Sequence, residues 1–265
     1  MATSLDTDLV ENLQSCIVLR IQLFGRFAVT VDGRPVEHDL PGRRGRLLVA
    51  MLADCRRSTA ERAVLVERLW SPATPGPGAT ATFAALLSKV RTVVAPAEIR
   101  GRSSLQLVLP PGSIVDAAVA EAALHSAEAA MARQDWRQVW TDALTVLFVT
   151  QRRFLAGVEE PWVEERRAEL MHVHRRALIC YATACLALGA GELASAERSA
   201  RALIALDPCS ETGYCLLMQA LDRRGDRGAA LAVYDDLRRV LRDDLGVVPG
   251  PASRSLHASL LHSPR

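Results

Sequence analysis

The first part of the chain combines short apolar stretches with turn residues, a pattern typical of β-strands. Val18–Phe24 and Phe27–Val31 are rich in apolar and β-branched residues, and Gly25 and Arg26 separate them. The dipeptide Asp32-Gly33 follows, and this pair favours a tight hairpin turn. The pattern therefore predicts two strands near the start of the chain.

Three helices and a second hairpin are predicted next. Apolar residues at 47–52 indicate a short helix, and Ser58–Glu61 fits a capping box that would open a second helix ending at Trp70. A third helix is predicted over 79–94, because its apolar residues recur at spacings of three and four. Residues 99–102 and 105–109 then indicate two strands joined by a tight turn.

The order of these elements predicts a winged helix–turn–helix over residues 18–113. In such a fold the third helix enters the major groove of DNA, and the hairpin reaches the adjacent backbone or minor groove. By pattern alone, a small α+β domain with a solvated basic surface fits the same residues. Residues 1–17 are interpreted as an N-terminal extension.

From Asp116 onward the periodicity is helical without interruption. Helices are predicted near 116–132, 136–149, 161–189, 192–206, 210–224, 227–244 and 252–262. Gly191–Ala196 recurs 34 residues later as Gly225–Ala230, and 34 residues is the period of tetratricopeptide repeats. The fold class expected is therefore mainly α: the winged helix–turn–helix, followed over 114–264 by an all-α, tetratricopeptide-like domain.

Charge is distributed unevenly along the 265 residues, although the net charge is only +2. Between Arg20 and Arg102 there are 14 basic and 7 acidic side chains, a local charge of +7. Between Asp116 and Arg265 there are 18 basic and 20 acidic side chains, a local charge of −2. A basic first half joined to a mildly acidic second half indicates that the first half binds a polyanion.

Several functional classes are disfavoured. No apolar run approaches the roughly 20 residues that span a bilayer, and the N-terminus is polar and acidic, unlike a secretion signal. The six cysteines form no CxxC pair, so we expect free thiols, a cytoplasmic location and no metal or other cofactor. The phosphate-binding and hydrolase motifs GxGxxG, GxSxG and HExxH are missing from the sequence, so we expect no enzyme.

The sequence also resembles a known family, the Streptomyces antibiotic regulatory proteins, which carry a bacterial transcriptional activator domain. The matching stretches of the first half are short: Leu23–Gly25, Val31–Val36, Leu65–Trp70, Ser88–Arg91 and Leu109–Gly112. Those of the second half are longer and more specific: Pro161–Leu170, Leu206–Glu211, Ala229–Tyr234 and Leu241–Pro249. The resemblance implies a cytoplasmic transcriptional activator that binds direct repeats in promoters and recruits RNA polymerase to biosynthetic or regulatory genes.

Candidate DNA-binding residues come from three places in the basic half. They are Arg43, Arg44 and Arg46 at the start of the first helix, Thr80, Thr82, Ser88, Lys89 and Arg91 in the third helix, and Arg100 and Arg102 at the second hairpin. Lys89 and Arg91 match the basic pair late in the family's recognition helix. Each of these residues fits a solvated surface position equally well, and the grouping favours contact with phosphates.

The chain departs from the family pattern where bases would be read. The front of the third helix carries Thr80, Ala81, Ala84 and Leu86, where the family has long polar side chains. Alanine contacts a thymine methyl group but makes no bidentate hydrogen bond with a base. The alternative function is therefore a protein–protein interaction module, or scaffold, whose DNA-binding half is degenerate.

Three further expectations concern assembly. The partners expected are double-stranded DNA and RNA polymerase, with self-association on tandem sites and no membrane. Pro110–Gly112 is interpreted as the junction of two modules. A fragment from Ser113 to Arg265 is accordingly expected to fold alone.

Overall fold

The computed structural model describes residues 18–55, 59–70 and 78–262. Its strands are β1 (Leu19–Gln22), β2 (Ala28–Val31), β3 (Arg34–Pro35), β4 (Ala60–Glu61), β5 (Glu98–Arg100), β6 (Ser104–Val108) and β7 (Ile114–Val115). Three helices lie among them: α1 (Gly42–Asp54), α2 (Arg62–Trp70) and α3 (Ala79–Val93). Strands β1 and β2, the three helices and the hairpin of β5 and β6 follow the predicted order, whereas the short strands β3, β4 and β7 were not predicted.

The first three strands form a four-stranded sheet together with β7, in the order β3-β2-β1-β7. Strands β1 and β2 are antiparallel, with Ile21 opposite Val29, and β7 pairs with β1 in parallel. Along β1, Leu19 and Ile21 are buried and Arg20 is exposed, because alternate side chains of a strand point to opposite faces. The apolar face of this sheet contributes to the core of the first half.

The second sheet, ordered β4-β6-β5, contains the predicted hairpin after α3. The capping-box prediction is wrong at Ala60–Glu61, because these residues pair with β6 as a short strand and α2 begins at Arg62. The local sequence favours a helix start at this point, but hydrogen bonding with a strand over 40 residues away outweighs that preference. Ser58 itself lies outside the described residues.

The second half is helical, as predicted. Its helices are α4 (Asp116–Ala132), α5 (Trp136–Thr150), α6 (Pro161–Leu188), α7 (Leu193–Leu206), α8 (Glu211–Arg223), α9 (Arg227–Val240) and α10 (Pro251–His262). A π-helical turn over Leu241–Leu245 follows α9. The Asp135 side chain caps α5 by accepting from the Gln138 N–H, and Asp226 caps α9 in the same way.

Contacts divide the chain into two compact units that are not continuous in sequence. Among the described residues, the first unit holds those up to Val119 together with Arg152–Arg167, and the second holds those of Ala120–Gln151 and Ala168–Arg265. The first break falls close to the expected junction at residues 113–114. The inclusion of Arg152–Arg167, hereafter the returning segment, was not predicted from the sequence.

The returning segment joins the first unit through its backbone. The Leu155 N–H donates to the Leu23 carbonyl at 2.7 Å, and the Gly25 N–H donates to the Arg153 carbonyl at 2.9 Å. Beside these bonds the rings of Phe24 and Phe154 meet edge to face, with their centroids 5.7 Å apart. The segment therefore pairs with the chain at the end of β1.

Asp116, at the start of α4, also ties the first unit together. Its carboxylate accepts from the N–H groups of Leu23 at 2.8 Å and Phe24 at 2.9 Å, just where β1 ends. Burial raises the pKa of this carboxyl group, and the same N–H bonds act in the opposite direction.

The helical unit buries an apolar core between consecutive helices. This core includes Leu178 and Cys185 of α6, Leu203 of α7, Met218 of α8 and Tyr234 of α9. The chain is mainly helical, with small sheets in its N-terminal half and a helical domain after it, so the predicted fold class is confirmed.

Candidate nucleic-acid interface

Helix α3 has one buried face and one exposed face. Ala79, Phe83, Leu87 and Val90 are buried, at the spacings of three and four that the sequence pattern indicated. The exposed side chains are Thr80, Ala81, Thr82, Ala84, Ala85, Ser88, Lys89, Arg91 and Thr92. Most of this surface is made of short side chains, so α3 offers a smooth face with its long polar groups only near its C-terminal end.

The hydroxyl groups and cations of α3 differ in how they are engaged. Thr82 donates its hydroxyl hydrogen to the Gly78 carbonyl at 3.0 Å, a local bond within the first turn. Lys89 is exposed, and no ion pair within the described residues involves it. Lys89 is therefore available to an external anion.

Arg91 has a structural task that the sequence did not reveal. Its Nε and one terminal nitrogen donate to the Ile99 carbonyl at 3.1 and 2.8 Å, and Ile99 lies in β5. The guanidinium therefore holds the end of α3 against the hairpin. This bond uses two of the donors that the resemblance assigns to DNA.

The hairpin after α3 places its two predicted cations differently. Arg100 pairs with Glu98 at 2.7 Å, whereas Arg102 is exposed in the turn that follows. Gly101 in this turn has a φ of +98°, and a Cβ atom there would lie 1.8 Å from the Ser104 carbonyl oxygen. The tight turn between β5 and β6 therefore requires glycine at this position.

Arg44 lies in a cleft between the three helices, the Arg44 cleft, of about 510 Å³. Its guanidinium stacks over the Trp70 ring, with Cζ 4.6 Å from the ring centroid, and its Nε donates to the Leu69 carbonyl at 3.3 Å. Thr82, at the start of α3, lines the same cleft. A fixed cation thus stands beside the front of the exposed face of α3.

The other two predicted arginines of α1 are oriented differently. Arg43 borders the Arg44 cleft and forms an ion pair with Glu160 at 2.6 Å, although Glu160 is only 6% exposed. Arg46 lines a second cleft, together with Arg26 and Leu155. Because successive residues of a helix are rotated by about 100°, three arginines at positions 43, 44 and 46 do not share one face.

Sequence reasoning missed the side chains that support this surface. Trp70 holds Arg44, and Arg62 lies over the Phe83 ring at 4.9 Å, at the base of α3. Glu160, far away in sequence, pairs with Arg43. Helical spacing alone would have separated Arg44 from Arg46, whereas no local signal points to Trp70 or Glu160.

Other kinds of site find little support in the described part of the chain. It holds no group of three or more His, Cys, Asp or Glu side chains arranged to bind a metal ion. Burial raises the pKa of Cys180 to about 11 and that of Cys185 to about 12, so both thiols stay protonated near neutral pH. Among the described helices, none has the length and apolar character that crossing a membrane requires.

Comparison with known families gives a match to more than half of the chain. Residues 115–261 match the family described as the bacterial transcriptional activator domain. The match begins one residue before α4 and ends within α10. It therefore covers the returning segment and nearly all of the helical unit.

Two kinds of characterised regulator are similar over nearly all of the chain. The regulatory protein AfsR of Streptomyces coelicolor is 30% identical over 247 residues, which cover 92% of this chain and 24% of AfsR. The transcriptional regulatory protein EmbR of Mycobacterium tuberculosis is 30% identical over 263 residues, covering 90% of this chain and 62% of EmbR. The chain thus spans about a quarter of the AfsR relative and less than two thirds of EmbR.

A solved structure has the same fold. It is that of Mycobacterium tuberculosis EmbR in complex with a low affinity phosphopeptide, with a TM-score of 0.75 and 23% sequence identity. The similarity covers 93% of this chain and 65% of the EmbR chain. At this identity the comparison establishes the fold.

Proposed function

Because the chain belongs to the bacterial transcriptional activator domain family, we propose that it is a transcriptional activator whose first unit binds duplex DNA. In this proposal α3 lies in the major groove and the hairpin of β5 and β6 contacts the adjacent backbone. The helical unit recruits RNA polymerase to promoters that carry direct repeats, upstream of biosynthetic or regulatory genes. The role is cytoplasmic and not enzymatic.

The observation that carries the proposal is the position of Arg44 beside α3. Arg44 and Thr82 line one cleft, and the guanidinium is held by Trp70. A guanidinium fixed in this way loses little side-chain freedom when it binds a phosphate. Lys89 and Arg102 add exposed cations on α3 and at the hairpin turn, where the backbone of a bound duplex would pass.

The exposed face of α3 supports affinity more than sequence discrimination. Ala81, Ala84 and Ala85 make no hydrogen bond with a base, and Arg91 is already bound to the Ile99 carbonyl. We therefore expect a specific-to-nonspecific affinity ratio below about a thousandfold for one binding site. Binding of two copies to tandem repeats would raise occupancy, because the second contact becomes effectively intramolecular.

The test is a titration of the full chain with a duplex of two candidate repeats at several salt concentrations. Log affinity falls as log salt concentration rises. We expect Arg44→Gln and Lys89→Gln each to make this slope less steep by about 0.9, since each removes one phosphate contact. Arg133→Gln removes an exposed arginine of the helical half and serves as the matched control. Equal slopes for all four proteins would contradict the proposed DNA face.

A second candidate function is a protein–protein interaction module whose DNA-binding half is degenerate. The short side chains of the exposed α3 face favour it, because a face without long polar groups reads sequence poorly. The same titration separates the two functions. A module of this kind would bind the duplex weakly and without the steep salt dependence of a protein that neutralises several phosphates.

Recruitment of RNA polymerase requires a separate assay. We expect the full chain to increase transcription in vitro from a promoter with the repeats, and Arg44→Gln to reduce this increase in proportion to its loss of DNA affinity. A chain that binds the repeats without any effect on transcription would contradict the activator role and leave DNA binding intact.

A further inference from the structure

The first unit contains a second cleft, the Arg46 cleft, that the proposed DNA contacts do not use. It has a volume of about 280 Å³ and is formed by the loop before β2, by α1 and by the returning segment. Its lining combines three arginines with apolar side chains, among them Arg26, Arg43, Arg46, Phe27, Leu47 and Val158. Arg44, which faces the start of α3, is not part of it.

The charges of this cleft are only partly balanced. Arg43 pairs with Glu160 at 2.6 Å, and the Glu160 side chain is buried. Arg26 and Arg46 are the other two guanidinium groups of the lining, and neither has a carboxylate partner among the described residues. The cleft therefore keeps an excess of two positive charges next to an apolar wall, an arrangement that favours an oxyanion.

The apolar lining and the volume of the cleft indicate what kind of molecule carries the oxyanion. Phe27 and Leu47 offer apolar surface beside the guanidinium groups. The volume lies just below the roughly 300–1,000 Å³ of typical small-molecule pockets, which are mostly apolar with a few placed polar groups. A duplex presents phosphates without an apolar body, so DNA does not complement this combination.

We propose that the Arg46 cleft binds a small molecule in which one oxyanion group is attached to a compact apolar body. The oxyanion, a carboxylate or a phosphate monoester, pairs with Arg26 and Arg46. The apolar body packs against Phe27 and Leu47. The site lies at the contact of α1 with the returning segment, so its ligand touches two parts of the chain that are over 100 residues apart.

The experiment titrates the full chain with three probes of similar size. Calorimetry and amide chemical shifts monitor the binding. Phenyl phosphate and benzoate carry the two kinds of oxyanion on one apolar ring, and benzyl alcohol is their neutral counterpart. We expect saturable binding of at least one anionic probe with one molecule per chain, and no saturable binding of benzyl alcohol. The better anionic probe identifies the oxyanion that the site prefers.

Variants locate the binding site. We expect Arg26→Gln and Arg46→Gln each to weaken binding of the better probe about tenfold, the usual effect of losing one charge-assisted hydrogen bond. Ala156→Trp places a bulky ring at the exposed edge of the cleft and should block binding without removing a charge. Arg34→Gln, which removes an exposed arginine of β3, is the matched control and should bind like the wild type.

Three results would overturn the proposal. They are failure of both anionic probes to saturate, equally strong binding of benzyl alcohol, and a loss in Arg34→Gln as large as that in Arg46→Gln. The far-ultraviolet circular dichroism of every variant is recorded beforehand, and the exposed positions of Arg26, Arg46 and Ala156 make unfolding by substitution unexpected.

Discussion

Removal of the Phe154 ring is the sharpest test of whether the returning segment stabilises the first unit. Phe154 is 2% exposed, and its ring meets that of Phe24 edge to face. Phe→Ala substitutions at buried sites cost about 3–5 kcal/mol of unfolding free energy. Phe154→Ala is therefore expected to destabilise β1 and α1, although it lies about 100 residues or more after them.

Hydrogen exchange followed by mass spectrometry measures this effect locally. A loss of about 3–5 kcal/mol raises exchange through unfolding by roughly 100- to 4,000-fold, at a factor of ten per 1.4 kcal/mol. The peptides that report it cover Leu19–Gln22 and Gly42–Asp54. Phe148→Ala is the matched control: Phe148 is 64% exposed, and exposed substitutions change stability by less than about 0.5 kcal/mol.

Wild-type exchange in β1 and α1, together with faster exchange in the helices of the second unit, would contradict a stabilising role of the returning segment in the first unit. In that case the returning segment would belong energetically to the helical unit, and the junction at residues 113–114 would separate two independent modules. The fragment from Ser113 to Arg265 is affected in the same way. In this fragment Phe154 and Leu155 lack their contacts with β1, so we expect the fragment to expose apolar surface that the full chain buries.

Two further predictions concern single positions. Gly101→Ala should lower the melting temperature of the first unit and weaken DNA binding, because its Cβ would clash with the Ser104 carbonyl. Gly191→Ala is the control, because there is open space around Gly191, and it should change neither quantity. A thermal scan and a DNA titration measure both effects. Burial lowers the pKa of His174, so the folded chain binds its proton less readily than the unfolded chain, and the free energy of unfolding should fall as the pH drops below about 6.5. Urea unfolding at pH 7 and pH 5 should show a smaller fall for His174→Gln, and an identical fall in both proteins would exclude His174 as its source.

The order of the main elements and the buried faces of the helices could be read from the sequence alone. Phe83, Leu87 and Val90 recur at helical spacing, and their burial in α3 follows directly, because a helix in a globular protein buries one apolar stripe. The 34-residue recurrence likewise indicated consecutive packed helices after Asp116. Both signals are local, so they can be read without knowing where the rest of the chain lies.

The candidate site could be predicted only in part. The sequence identified the basic residues and their elements, but it treated Arg43, Arg44 and Arg46 as one group. Rotation along α1 separates Arg44 from Arg46, and only the packing of other segments decides what each of them meets.

The partners of these residues depend on how distant segments of the chain pack together. Arg44 stacks on Trp70, and Arg91 binds the Ile99 carbonyl. The returning segment brings Glu160 to Arg43 across more than 100 residues of sequence. Periodicity reports which side of an element is buried, but not which distant segment buries it, because that choice depends on the complementarity of whole surfaces and not on any local pattern.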